Sequence, residues 1–406
     1  MASSAQVRDT NTPRAPLAVP NGGLLPTDVL HDILLRLPAD VLCRLHLVCR
    51  SWRSLTSDPI FAEAHLSRHP LVVGLGSDVT GPARRRTGDI VFSDLSGNIV
   101  KRIYMRQAWE EACVEHGPLC ICQRNDLSVE HGLLCILRGK DEACVVNPAT
   151  AAFTVLSTAG ILPTKYENKS FLSTFVLGHV PSTGEYKVLR IIRHQYDKQD
   201  WETCDVMTLG SNGREKWRVR PRPRIQIAMD TLRKAFAKGA AYAVVNGVAY
   251  FLSSHIRSDA IASFDFATEK WRHGTLQGPL NSQLINANAN MSFSLANLNG
   301  CLVTICRRYI RGYTYDDCSM DLWFLTDVEN GLWTKRYSLR CRHADGLVSP
   351  VGILDDDEKI LLWAERTGAL RTYDPRTSIA TDLSTLKGID NVGLYQGSLL
   401  YSDIVD

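Results

Sequence analysis

The sequence predicts an α+β multidomain chain, in which a small helical segment precedes a long all-β, propeller-like region of about six blades. Three observations carry that expectation. Apolar residues recur at helical spacing chiefly between Leu24 and Leu66. From Leu71 onward they fall in short runs dominated by Val, Ile, Tyr, Phe and Trp, as strands prefer. A turn pattern punctuates those runs at intervals of roughly 45 to 65 residues, near the scale of one propeller blade. The expected division is a disordered tail over 1–23, a helical domain over 24–69 and a β domain over 70–406.

The tail is rich in Ala, Ser, Pro and Asn and has no apolar core of the kind a signal peptide carries. No run of about eighteen apolar residues occurs, so no membrane span is expected. Without a secretory signal the compartment is expected to be reducing, and the 12 cysteines read as free thiols. The net charge of +3 gives no reason to expect a nucleic-acid partner.

The helical segment reads element by element. Thr27 and Asp28 open the first helix, where a side-chain acceptor and a negative charge both suit the free backbone N–H groups. Leu30, Ile33, Leu34 and Leu37 follow on one face. Pro38 stops that helix and is tolerated at the start of the next, whose apolar positions are Val41, Leu42 and Leu45. A third stripe runs Leu45, Val48, Trp52, Leu55, with Arg44, Arg50 and Arg53 off it. Asp58-Pro59 caps a fourth pattern through Ile60, Phe61, Ala64 and Leu66, ending near His69-Pro70. Some thirty residues carrying three apolar stripes cannot bury them all, so this segment is expected to complete its core against a partner.

In the β region the recurring turn appears at Phe92–Gly97, Val146–Thr150, Thr208–Gly213, Phe264–Thr268, Leu325–Gly331 and Tyr373–Thr377. Trp217, Trp271 and Trp333 follow three of these turns. A second landmark is a residue-Gly pair before an apolar run, at His131-Gly132, Asn246-Gly247, Asn299-Gly300 and Gln396-Gly397. The last pair opens Ser398–Tyr401 with no second half, while the unit around Ile90–Ile103 has a poor first half. Joining the two would close a ring and remove exposed sheet edges. A pair of β-sandwiches is the alternative.

No catalytic grouping stands out, and no metal site or cofactor is expected. Cys120, Cys122, Cys135 and Cys144 lack a CxxC pair and sit in strand-like runs, which favours buried thiols. Gly74-Leu-Gly76 lacks the rest of a dinucleotide fingerprint. Asp355–Glu358 reads as an exposed turn. The basic runs Arg84–Arg86 and Lys216–Arg224 read as solvated loops, with a rim for an acidic or phosphorylated peptide as the sharper alternative. The long connections His194–Trp201, Arg222–Lys234, Ser254–Asp259, Gln277–Asn290 and Tyr309–Asp317 are where target contacts are expected, with no single residue assigned.

Leu25-Pro26, Val29-Leu30, Ile33-Leu34, Leu37-Pro38 and Leu45…Val48-Cys49-Arg50-Ser51-Trp52-Arg53 together resemble the F-box. Val146–Thr150, Gly178–Val188, Ser263–Trp271, Asp321–Trp333 and Tyr373–Thr377 resemble the F-box-associated, kelch-like interaction region of plant proteins. The resemblance implies a non-enzymatic substrate receptor of an SCF-type ubiquitin ligase. Its helices would bind a Skp-type adaptor, and through it a cullin-RING scaffold. Its propeller would bind a target protein for ubiquitination and proteasomal degradation, in the nucleus and/or cytoplasm. Adaptor contact is implied at Leu25 and Pro26, along the first helix at Leu30, Ile33, Leu34 and Leu37, and at Pro38, Val41 and Leu42. Leu45, Val48 and Trp52 would be shared between that interface and internal packing. A scaffold that degrades nothing and an enzyme built on a propeller are the other readings.

Overall fold

The computed structural model describes residues 26–45, 48–78, 85–104, 127–130, 132–138, 142–156, 171–196, 199–210, 216–228, 240–254, 258–280, 291–309, 317–354, 358–395, 397 and 399. Helices α1 (Thr27–Leu34), α2 (Ala39–Leu45), α3 (Arg50–Thr56) and α4 (Pro59–Arg68) come first, and β1 begins at Leu71. Pro38 lies just before α2, and its carbonyl accepts from the amides of Val41 and Leu42. Asp58 caps α4: its Oδ1 accepts from the amides of Ile60 at 2.8 Å and Phe61 at 3.3 Å, with Pro59 in the first turn. The expected side-chain cap of α1 differs, because Pro26 occupies the N-cap and makes no such bond.

The remainder forms six four-stranded antiparallel sheets among the described residues. Blade 1 holds β1 (Leu71–Asp78), β2 (Arg85–Asp94) and β3 (Ile99–Ile103). Blade 2 holds β4 (Leu127–Glu130), β5 (Leu133–Arg138), β6 (Glu142–Val146) and β7 (Phe153–Leu156). Blade 3 holds β8 (Phe171–Val180), β9 (Glu185–Tyr196), β10 (Gln199–Leu209) and β11 (Arg218–Arg220). Blade 4 holds β12 (Tyr242–Val245), β13 (Val248–Leu252), β14 (Ile261–Asp265) and β15 (Lys270–Trp271). Blade 5 holds β16 (Met291–Leu298), β17 (Cys301–Tyr309), β18 (Asp317–Asp327) and β19 (Leu332–Arg342). Blade 6 holds β20 (Val348–Leu354), β21 (Lys359–Ala364), β22 (Ala369–Asp374) and β23 (Ile379–Thr385). The last strand, β24 (Ile389–Tyr395), returns to pair with β1 and gives blade 1 the order β24-β1-β2-β3.

The first strands touch in a closed cycle, β4 to β8, β12, β16, β20, β24 and back to β4. This is a propeller rather than a pair of sandwiches. Three strands from one end of the chain and one from the other complete blade 1, so the ring is closed as expected, but by a different segment. The closing strand is Ile389–Tyr395, upstream of Gln396-Gly397, and Ser398, Leu400 and Tyr401 lie outside the described residues. Tyr395 secures the seam. It is buried, meets Phe92 edge-on at 5.0 Å, and its hydroxyl donates to the Gly132 carbonyl in the next blade at 3.1 Å. A Cβ on Gly397 would sit 2.2 Å from the Gly132 Cα, so that approach needs glycine.

The two sequence landmarks have distinct physical origins. The six recurring turns all join the third and fourth strands of a blade. In five of them an Asp or Asn side chain accepts from a backbone amide one or more residues on: Asp94 from Asn98, Asn147 from Ala149, Asp265 from Thr268, Asp327 from Glu329 and Asp374 from Arg376. Of the residue-Gly pairs, Asn246-Gly247 and Asn299-Gly300 join first and second strands, whereas Gly397 follows the last strand, β24. Asn246-Gly247 and Asn299-Gly300 are two-residue hairpin turns with both residues at positive φ, the geometry that matches strand twist.

The tryptophans after the turns reach the preceding blade's exit. Trp271 Nε1 donates to the Pro221 carbonyl at 2.8 Å, and Trp333 Nε1 donates to the Gln277 carbonyl at 2.9 Å. Trp217 packs against the core shared by blades 2 and 3, and the Arg190 guanidinium lies 4.2 Å from its ring. Arg190 is fully buried and pairs with Asp205 at 2.7 Å.

Candidate functional site

Strand direction alternates within every blade, so the turns just described share one end of the ring. Connections after second and fourth strands share the other. The helical unit sits at the tight-turn end of blade 1: Ala39 of α2 joins the apolar core of β1, β2 and β5, and Leu71, Gly397 and Leu399 face Ala62, His65 and Leu66 of α4.

Within the helical unit the first stripe turns inward. Leu30, Leu34, Leu35, Leu42 and Phe61 form its buried core, with Leu37, Leu45, Trp52, Leu55 and Ala64 packed around them. Phe61 is wholly buried and meets the His31 ring edge-on. His65 of α4 and His69 at its C-cap then close the carbonyl ends left by α1. His65 Nε2 donates to the Leu37 carbonyl at 2.8 Å and His69 Nε2 to the Leu35 carbonyl at 3.1 Å. Burial holds the His65 imidazole below its ordinary pKa, which favours the neutral donor.

The residues expected at an adaptor interface therefore fall into two sets. Leu30, Leu34 and Leu42 are consumed by the unit's own core. Pro26, Ile33, Pro38 and Val48 are exposed, and Leu37, Val41, Leu45 and Trp52 are half-buried. Leu25 lies outside the described residues. Val29 and Ile60, to which the sequence reading gave no adaptor contact, are 43% and 75% exposed. Val29 precedes the buried Leu30 as Ile33 precedes the buried Leu34, so α1 carries an outer apolar line beside its inner one. Helical periodicity finds both lines and cannot tell which one faces in.

At the opposite end, all five connections expected to meet a target emerge together. Ser254–Asp259 and Tyr309–Asp317 follow second strands, while Arg222–Lys234 and Gln277–Asn290 follow fourth strands. His194–Trp201 also follows a second strand but is not a long connection, because β9 and β10 stay paired as far as Tyr196 and Gln199. Of the five, 197–198, 229–234, 255–257, 281–290 and 310–316 lie outside the described residues. Backbone and side-chain hydrogen bonds tie three of the connections into one platform. The Ser254 amide donates to the Gln226 carbonyl at 2.8 Å. Asp259 is buried and accepts from Gln277 Nε2 at 2.7 Å and from the Leu280 amide at 2.9 Å. Burial raises the Asp259 pKa, and those hydrogen bonds oppose the rise.

The basic run Lys216–Arg224 divides. Arg218 and Arg220 both bond Glu269, and Lys187 joins them at 3.1 Å. Burial alone would raise the Glu269 pKa; hydrogen bonds from Arg218, Arg220 and Lys187 outweigh it and hold the carboxyl at about 2. These cations lie at the tight-turn end and share the Glu269 carboxylate, so they form no rim around the long connections. Arg222 and Arg224 remain exposed. Arg84 lies outside the described residues, whereas Glu358 occupies the β20–β21 turn. Cys120 and Cys122 lie outside the described residues; Cys135 and Cys144 are buried in cores on opposite faces of one sheet. Among the described residues no group of three His, Cys, Asp or Glu is placed to hold a metal, and no helix is long and apolar enough to cross a membrane.

A family model described as F-box associated beta propeller domain matches residues 106–375. The chain belongs to that family. An F-box-like model matches residues 23–66, the helical unit. Among curated relatives, F-box protein CPR1 of Arabidopsis thaliana is 23% identical over 407 residues, covering 94% of this chain and 88% of the relative. F-box protein At3g07870 of Arabidopsis thaliana is 26% identical over 405 residues, covering 89% of this chain and 86% of the relative. Among solved structures, an exo-1,5-alpha-L-arabinanase from a bovine ruminal metagenomic library aligns with TM-score 0.35 at 6% identity, covering 64% of this chain and 91% of that one. That likeness is too slight to bear on activity. The chain is thus an F-box protein of plant type with a C-terminal propeller.

Proposed function

We propose that this F-box protein is the substrate-recognition subunit of an SCF-type ubiquitin ligase. The outer apolar line of α1, with Val48 and the two prolines, docks a Skp-type adaptor that links to a cullin-RING scaffold. The long-connection end of the propeller holds a target protein for ubiquitination and proteasomal degradation, in the nucleus or cytoplasm. The observation that carries this reading is the exposure of Val29 and Ile33 on a helix whose other line is already buried. Solvent-facing apolar side chains on such a small unit are anchors for a partner's groove. The receptor itself needs no catalytic group. Its contribution is proximity, which raises the effective concentration of a target lysine near the charged conjugating enzyme.

Pairing the intact chain with a Skp-type adaptor tests the interface. Val29→Glu with Ile33→Glu should abolish co-purification while leaving the thermal midpoint nearly unchanged, because neither side chain belongs to the core. Retained adaptor binding by that folded double variant would sink the assignment. Leu34→Glu does not discriminate, since it disrupts the helical core as well. Degradation is tested separately: target abundance should rise on proteasome inhibition only when the adaptor line is intact.

A further inference from the structure

We infer that Cys318 and Cys341 form a dithiol site on blade 5 that closes to a disulfide under a peroxide-class oxidant. The two residues stand directly opposite one another in the β18–β19 ladder, which places their side chains on the same face of the sheet. Direct cross-strand neighbours bring Cβ atoms within about 4.5 to 5.5 Å, close to the separation a disulfide spans. Both are free thiols, Cys318 buried and Cys341 half-buried, so one of the pair is open to a small oxidant. Cys135 and Cys144 show what the alternative looks like. They too lie on neighbouring strands, but they are offset by one position and enter different cores, so they cannot join.

The surroundings favour reaction at this pair. A hydrogen bond with the Cys341 thiol holds the Cys318 pKa below its ordinary value; burial opposes this, and the charge of Arg307 on the neighbouring strand supports it. Arg307 is itself buried and fixed by Ser294 Oγ at 2.8 Å and the Val348 carbonyl at 3.0 Å. The other buried thiols go the opposite way: burial pushes Cys135 up to about 12, and in Cys306 it outweighs the lowering charges of Arg308 and Arg307 and again pushes the thiol up to about 12. The same hydrogen bond and burial push the Cys341 thiol up, so the attacking thiolate is Cys318 and Cys341 is the sulfur that resolves it.

The chemistry balances with hydrogen peroxide as the two-electron oxidant. The thiolate of one cysteine attacks a peroxide oxygen, the O–O bond breaks, and with one proton the leaving hydroxide becomes water. The resulting sulfenic acid is attacked by the second sulfur, the S–O bond breaks, and a second water leaves as the S–S bond forms. Two thiols and one peroxide give one disulfide and two waters. The bond would tie the start of β18 to the end of β19, at the end of the ring that carries the long connections. Oxidation would thereby act on the face assigned to the target rather than on the helical unit.

The test uses the full chain, purified reduced and then exposed to hydrogen peroxide before alkylation and peptide mass spectrometry. Lys335, Arg336 and Arg340 lie between the two cysteines, so trypsin separates them unless they are bonded. The expected result is a Cys318–Cys341 cross-linked peptide, two hydrogens lighter than its parts, as the dominant disulfide. It should disappear with dithiothreitol and be absent from Cys318→Ser and Cys341→Ser. Recovery of both cysteines separately alkylated, or singly over-oxidised, or bonded chiefly to other cysteines, would overturn the inference. No adaptor or target enters this experiment, so its failure leaves the ligase reading standing, and loss of adaptor binding would leave this site standing.

Discussion

The helical unit and the ring bury their apolar residues in different ways. The unit gathers four buried leucines around Phe61 and leaves Val29, Ile33, Val48 and Ile60 in solvent. The ring closes on itself: each blade packs on the next, and β24 removes the edge that blade 1 would otherwise expose. Size decides the difference. A four-helix segment has too much surface for its volume, whereas a closed ring of six sheets does not. The leftover surface of the small region is thus available for docking, and the large region can support long connections at one end without losing its core.

The strongest way to break this comparison is to open the ring. Ending the chain after Lys387 removes β24, exposes β1 as an edge and strips the inner position of blade 1. The expected loss exceeds about 5 kcal/mol, comparable to the whole net stability of an ordinary domain. Thermal unfolding with size-exclusion chromatography should show an aggregated or non-cooperative ring. A sharp, monomeric transition would mean that closure is dispensable.

A smaller effect separates the two regions. Phe61→Ala empties the centre of the helical core at a cost of about 3 to 5 kcal/mol. Hydrogen exchange should accelerate over residues 27–68 and stay unchanged in β8 to β23. Uniform acceleration across both would show that the two cores unfold as one.

The mildest test concerns the tight-turn end, where charge supplements packing. The folded Glu269 carboxyl titrates near 2, below the ordinary value of 4.5. Its contribution is therefore present above about pH 4.5 and is lost as pH falls toward 2. Glu269→Gln should flatten that part of the acid-unfolding curve and leave the neutral-pH midpoint modestly lower. An unchanged acid limb would show that the Arg218, Arg220 and Lys187 contacts are too solvated to matter.

Most of the architecture was legible because it repeats. An Asp or Asn that accepts an amide in its own turn, and an Asn-Gly that supplies positive φ, are local requirements, so they leave marks at regular intervals. The closing strand was placed too late in the chain because Gln396-Gly397 looks like a hairpin turn. Its glycine is needed for contact with Gly132 instead, which is a relation between blades. The inner and outer lines of α1 were merged for a similar reason. Both satisfy helical spacing, and only the positions of Phe61 and Leu42 decide which one is covered.

By itself the sequence determined the order of helices and strands, the repeat, the ring and the family resemblance, since spacing and turn chemistry act over a few residues. Tertiary structure decided what depends on distant neighbours. It gathered four long connections and the tip of the β9–β10 hairpin at one end, seated the helices at the other, turned Leu30, Leu34 and Leu42 inward, paired Arg218 and Arg220 with Glu269, and set Cys318 across from Cys341. Burial and pairing are properties of what packs against a residue, and packing partners come from parts of the chain that local pattern does not connect.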